Sequence, residues 1–259
     1  MVNNMGIINH LGITNKLLTC PKHGSYMGFR MEDSNGFATR WSTCPRCQAE
    51  NLDPNHNLVT YNHEEAIRIS LRERTEDASL PNIHLGSRFE NYTVNNQSQL
   101  DAVQACKDLI NGHIKNLVLL GTTGVGKTHL AVATIHEAIQ KGLTARYIKE
   151  SVLFGDMLVA KEKYIGGDRS LLKHLVDYDL LVLDEIGKRP LSEYQASILF
   201  ELIDERWGGN KRTFFCGNIT GSEFKEHFTD PMISRIQDHG LSLKLTGKDY
   251  RIGAKREVS

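Results

Sequence analysis

No surplus of either charge marks this sequence, in which 31 basic residues meet 31 acidic ones. Bulk composition therefore points to neither nucleic acid nor an anionic membrane as a partner, and any such surface must be local. Long hydrophobic runs are missing too. None approaches the roughly 18 residues that span a bilayer, and the stretch from Met1 to His10 lacks the cationic start and continuous apolar core of a signal peptide. A soluble, cytoplasmic protein with no membrane partner is expected. Cysteines are few and odd in number, five in all. Three of them stand with a histidine at metal-ligand spacing, which argues against a disulfide framework and for a reducing compartment. Cys106 and Cys216 lie in apolar surroundings and read as core residues.

Cys20-Pro-Lys-His23 and Cys44-Pro-Arg-Cys47 form two C-x2-[C/H] knuckles, each able to set two ligands on one side of a tight turn. Cys20, His23, Cys44 and Cys47 together make a Cys3His set for Zn2+, closed to water and therefore structural rather than catalytic. Two loops with unrelated thiols are the alternative. The metal would stand in for a core that so short a segment cannot build. Tyr26, Phe29, Arg30, Phe37, Arg40 and Trp41, between the knuckles, either cover the zinc or grip a partner. From Asn62 to about Asp77 the chain is rich in Glu and Arg with a partial apolar stripe, which reads as a helix or helical linker.

The most informative stretch is the apolar run Leu117 to Leu120 feeding into Gly121, Thr122, Thr123, Gly124, Val125, Gly126, Lys127, Thr128 and His129, after which a helical pattern begins. This is G-x-x-x-x-G-K-T between a strand and a helix, the setting that a nucleotide-binding loop requires. Its backbone N–H groups wrap a phosphate, Lys127 reaches the terminal phosphates, and the Thr128 hydroxyl holds Mg2+. The dipole of the helix that follows favours the anion. A plain glycine turn is the alternative, and the flanking strand and helix argue against it.

The spacing predicts helices over Ser98–Ile110 and Thr128–Gln140, a strand over Ala145–Lys149, helices over Leu153–Tyr164 and Leu171–Val176, and a helix over Glu193–Arg206. Leu180 to Leu183 reads as a fully buried parallel strand that delivers Asp184 and Glu185 to the rim where a ligand sits. Asp184 would complete the Mg2+ shell and Glu185 would polarise the attacking water; a turn or helix cap is the alternative for the pair, and the phosphate loop upstream argues against it. A strand at Thr213–Cys216 ends in Asn218, whose amide can both donate to a γ-phosphate and hold a water; a cap or turn is its alternative. Asp230 and Pro231 open a short helix carrying Arg235, whose guanidinium would stabilise charge on a transferring phosphate if it entered a neighbour's site; a surface arginine is the alternative, for Arg235 as for Arg251. A last strand is expected over Leu241–Leu245, ahead of a basic stretch with Arg251.

These residues, Gly121 through Ala131, Asp179 through Gly187, Gly217-Asn218, Ser234-Arg235-Ile236 and Phe89-Glu-Asn-Tyr92, resemble the AAA+ ATPases of the DnaC/DnaI/IstB group. The resemblance implies an α/β P-loop core with a five-stranded parallel sheet between helices, ATP bound at subunit contacts, and self-association through them. It implies Asn218 as sensor-1, Arg235 as an arginine finger in trans and Arg251 as sensor-2, although little chain follows Arg251 to form a lid. The segment 153–176 corresponds to helices lining a single-stranded DNA path, with Lys161, Lys163, Tyr164 and Arg169 as candidates. The metal module is similar to the zinc-bearing amino-terminal domain of DnaI-type loaders. The expected organisation is a zinc-binding docking module over 1–60, a charged linker over 61–80 and an AAA+ domain over 81–259. The function implied is loading of a hexameric replicative DNA helicase onto single-stranded DNA. The alternatives are an IstB-like transposition helper and an ATP-binding switch with little turnover.

Overall fold

The computed structural model of the chain describes residues 12–20, 24–32, 71–164 and 166–250. Two compact units emerge, Met1–Ala66 and Ile67–Ser259. In the first, strands β1 (Gly12–Cys20) and β2 (Gly24–Glu32) pair antiparallel, with Cys20 opposite Gly24. Cys20 therefore closes a strand, while His23, Cys44 and Cys47 lie outside the described residues, as does Arg251. Among the described residues no group of His, Cys, Asp or Glu is arranged to hold a metal by itself.

The first described residues of the second unit, 71–77, are helical, and behind them Ala78 and Leu80 are buried. The end of the charged segment is thus packed onto this unit. The elements that follow are α1 (Gln97–Asn111), β3 (Asn116–Leu120), α2 (Lys127–Gln140), β4 (Ala145–Lys149), α3 (Glu150–Lys163), α4 (Gly167–Asp177) and β5 (Leu180–Ile186). After them come α5 (Glu193–Gly208), β6 (Arg212–Gly217), α6 (Gly221–His227), α7 (Asp230–Gln237) and β7 (Gly240–Lys244). Local chemistry sets many of the ends. Asn96 caps α1 through the Gln99 N–H, and capping boxes of Ser192 with Gln195 and Thr220 with Glu223 open α5 and α6.

The five strands of this unit form one parallel sheet in the order β4-β5-β6-β3-β7. Alternation along each strand divides the core into two layers. Leu117, Leu119, Leu180, Val182, Phe214 and Cys216 pack with α1 and α2 on one face. Val118, Leu120, Leu181, Leu183 and Phe215 pack with residues of α3 to α7 on the other. Both faces are covered, which is why these strands read as continuous apolar runs. Three differences from the sequence reading stand out. Helix α3 begins at Glu150, directly after β4; β5 runs on through both acids to Ile186; and the short helix α6 carries too few apolar residues to show a period. No helix among the described residues is long and apolar enough to cross a membrane.

Candidate active site

Because β6 lies between β3 and β5, the phosphate loop after β3, the acids near the end of β5 and Asn218 after β6 emerge at the same edge of the sheet. They line a cleft of about 470 Å³ together with His84, Asn91, Tyr92, Thr93, Lys188 and Tyr250. Two glycines shape its floor. Gly124 has φ +80° and Gly126 φ +101°, values that side chains with a Cβ rarely adopt. A Cβ on Gly126 would stand 2.7 Å from the Tyr92 ring, and one on Gly124 would overlap the Asp249 carboxylate. The segment after β7 is held close to this floor, with the Tyr250 N–H donating to the Gly124 carbonyl at 3.1 Å.

At the mouth of the loop the Lys127 ammonium donates to the carbonyl oxygens of Gly121 and Thr122, each at 2.7 Å. The Thr128 hydroxyl donates to Asp184 Oδ2 at 2.9 Å, so the two predicted Mg2+ ligands are already in contact. An adjacent hydroxyl and carboxylate are hard oxygen donors, as Mg2+ requires, and they stand beside a loop shaped for phosphate. The residues present fit the ion. Asp184 is 3% exposed and its other oxygen accepts the Glu185 N–H at 2.7 Å.

A group that sequence reasoning missed completes this arrangement. Tyr147, on β4, donates its hydroxyl to the same Oδ2 of Asp184 at 2.7 Å. Burial, then the charge of Asp184, pushes the phenol well above its ordinary range, so it remains a donor.

Glu185 sits where β5 slips register against β6, between Leu183 and Ile186. Its φ of 61° is unusual for a residue with a side chain, and such values persist where surrounding structure over-determines them. Its carboxylate is gripped from both sides, by Lys149 at 3.1 Å and Lys188 at 2.8 Å. Burial alone would raise its pKa. The hydrogen bonds and charges of Lys188 and Lys149 outweigh burial and hold the carboxyl below its ordinary value. Lys149 was legible as the end residue of a parallel strand; what the sequence does not state is that β4 lies next to β5.

Asn218 reaches the loop directly, its amide donating to the Thr123 hydroxyl at 2.8 Å. His129 lines the cleft but is turned to its wall, with Nε2 2.9 Å from the Arg88 carbonyl and its ring 5.2 Å from that of Tyr92.

Arg235 is elsewhere. Its guanidinium pairs with Asp204 on α5, donates to the Pro231 carbonyl at 3.0 Å, and lies 5.1 Å from the Phe200 ring and 5.5 Å from the Trp207 ring. Its backbone carbonyl accepts from the Asn116 side chain at 3.1 Å. Asn116 begins β3 and the phosphate loop leaves its far end, about 13 Å away at strand rise. Lys161, Lys163, Tyr164 and Arg169 are exposed around the junction of α3 and α4.

A family profile described as IstB-like ATP binding protein matches residues 49–258. The ATP-binding protein of insertion sequence IS232 from Bacillus thuringiensis subsp. berliner is 35% identical over 143 residues, 53% of this chain and 56% of that protein. The replicative helicase loader DnaC of Escherichia coli (strain K12) is 29% identical over 185 residues, 65% of this chain and 74% of the loader. The chain thus spans little more than half the length of the first relative. Among solved structures, the DnaC helicase loader matches with TM-score 0.57 and 23% identity over 64% of this chain and 100% of that one. DnaI matches with TM-score 0.57 and 20% identity over 68% and 98%. These structural likenesses bear on the fold.

Proposed function

The chain belongs to the family of IstB-like ATP binding proteins, and from that premise we propose that it hydrolyses ATP at a site completed by a second subunit. The observation that carries this reading is the convergence of Lys127, Thr128, Asp184, Glu185 and Asn218 on one cleft. The loop binds the phosphates, and Lys127 turns from its carbonyl partners to the terminal ones. Thr128 and Asp184 would hold Mg2+, which would supply positive charge against the terminal phosphates. Glu185 takes the proton of the attacking water, and Asn218, fixed at Thr123, orients that water against the γ-phosphate. Arg235 lies at the wrong end of β3 for its own nucleotide, which supports action on a neighbour's.

Glu185→Gln is expected to bind ATP normally and to lower turnover at least about a hundredfold. Equal turnover in wild type and variant would remove the base from the scheme.

The work done with this ATP is helicase loading in our reading. The zinc module, with Cys20, His23, Cys44 and Cys47 as ligands, docks on a hexameric replicative helicase, while Lys161, Lys163, Tyr164 and Arg169 contact single-stranded DNA. The likeness to DnaC over 74% of that loader supports this. The 35% identity to the IS232 protein favours a second reading, assistance to a transposase. A pull-down from host extract with the intact chain and ATP separates the two: a replicative helicase is expected, and a transposase would overturn the loader.

A further inference from the structure

Behind the acids lies a buried pair that the hydrolysis scheme does not use. Glu150 begins α3 and His227 ends α6; their side chains are 6% and 5% exposed, and His227 Nε2 lies 2.6 Å from Glu150 Oε1. The second carboxylate oxygen of Glu150 accepts the Gly187 N–H at 3.1 Å. Gly187 follows Glu185 by two residues, and Lys149, which precedes Glu150, pairs with Glu185 itself. The strained backbone at Glu185 is therefore tied twice, through its own carboxylate and through the Gly187 N–H, to one point of the chain, the β4–α3 junction. His227 extends the tie. Its helix is capped by Thr220, directly past Asn218 and Ile219, and its ring stands edge-on to Phe228, which packs on Phe224 and Phe215.

Resting on the reading that Glu185 activates water, we propose that Glu150 and His227 are a positioning pair that holds the Glu185–Gly187 turn and the exit of β6 at Asn218 in the geometry hydrolysis needs. Neither residue touches the nucleotide. Glu150 binds the turn through Gly187, and His227 fixes the carboxylate that does so while anchoring the helix after Asn218. A carboxylate with both oxygens engaged has one orientation, and removing its anchor displaces the turn by the small distances to which reacting groups are sensitive.

The test compares Glu150→Ala, Glu150→Gln and His227→Ala in the full chain, with kcat, KM for ATP, thermal midpoint and amide hydrogen exchange at Gly187 as readouts. Glu150→Ala is expected to lower kcat about tenfold to a hundredfold with KM within about twofold, and to abolish protection of the Gly187 amide. Glu150→Gln, whose amide accepts from Gly187 and donates to His227, is expected to recover most of both. His227→Ala should fall between them, and the double variant with Glu150→Ala should be no slower than Glu150→Ala alone. An unchanged kcat in folded Glu150→Ala, or a loss of turnover carried wholly by KM, would overturn the proposal. Should Glu150→Ala not fold, the same outcomes are read from His227→Ala. A wild-type chain without turnover would sink the hydrolysis reading, yet Gly187 protection that persists in Glu150→Ala, or that stays at the wild-type level in His227→Ala, would still sink this one.

Discussion

The phosphate end of the sheet and the face that carries Arg235 are built on opposite terms. At the phosphate end the polar groups are already joined to one another within the chain: Thr128 and Tyr147 both donate to Asp184, two lysines hold Glu185, and Asn218 is fixed to Thr123. On the other face Arg235 has a quarter of its side chain exposed, bonded to Asp204 and flanked by Phe200 and the half-exposed Trp207. One region is organised for chemistry within the chain. The other presents a cation and aromatic rings outward, a composition common at the centre of protein interfaces. The difference supports the proposed division of the hydrolytic site, in which five groups are supplied in cis and the arginine is offered to a neighbour.

The largest effect expected breaks that division directly. Arg235→Ala should lower turnover about a thousandfold, the scale of a removed arginine finger, while nucleotide affinity holds. Mixing it with Lys127→Ala should restore part of the activity, because some contacts then pair an intact phosphate loop with an intact arginine. Steady-state turnover across mixing ratios is the measurement, and absence of rescue at every ratio would place Arg235 outside the site.

How much of this was open to the sequence follows the same boundary. Gly121 through Thr128, Asp184, Glu185 and Asn218 could be read in advance because glycine spacing and the ends of apolar strands mark such positions without knowledge of neighbours. Tyr147, Lys149 and Lys188 could not, since their roles depend on β4 lying next to β5 and on a backbone slip at Glu185. Arg206 makes the point in the core. It reads as the polar end of a helix, yet it is 1% exposed and donates to the carbonyls of Leu175, Val176 and Tyr178. Burial pushes its pKa down to about 9. A fully buried arginine becomes intelligible only when the open carbonyls at the end of α4 are seen to need a donor.

A second, smaller effect sharpens the account of the built half. Tyr147→Phe keeps the ring in the core and deletes the hydroxyl on Asp184. The apparent affinity for Mg2+ in turnover should fall about tenfold to a hundredfold, the usual cost of losing a partner of a metal ligand. Nucleotide binding measured in the presence of a chelator should not move. A change in both would assign Tyr147 to packing alone.

The smallest effect lies in pH. Glu185 must be ionised to accept a proton, and Lys188 and Lys149 hold its pKa below the ordinary carboxylate value. In the wild type the acid limb of turnover should therefore fall below the pH at which a free glutamate protonates. The stabilisation this pair contributes is present above the unfolded pKa and is lost as pH falls through the lower, folded one. Lys188→Met removes one of the two cations and leaves burial, which acts in the opposite sense. The acid limb should then move to higher pH while Lys149 keeps it from rising as far as burial alone would drive it. A limb that stays in place would mean that another group sets it, and that the lysines orient Glu185 without tuning its basicity.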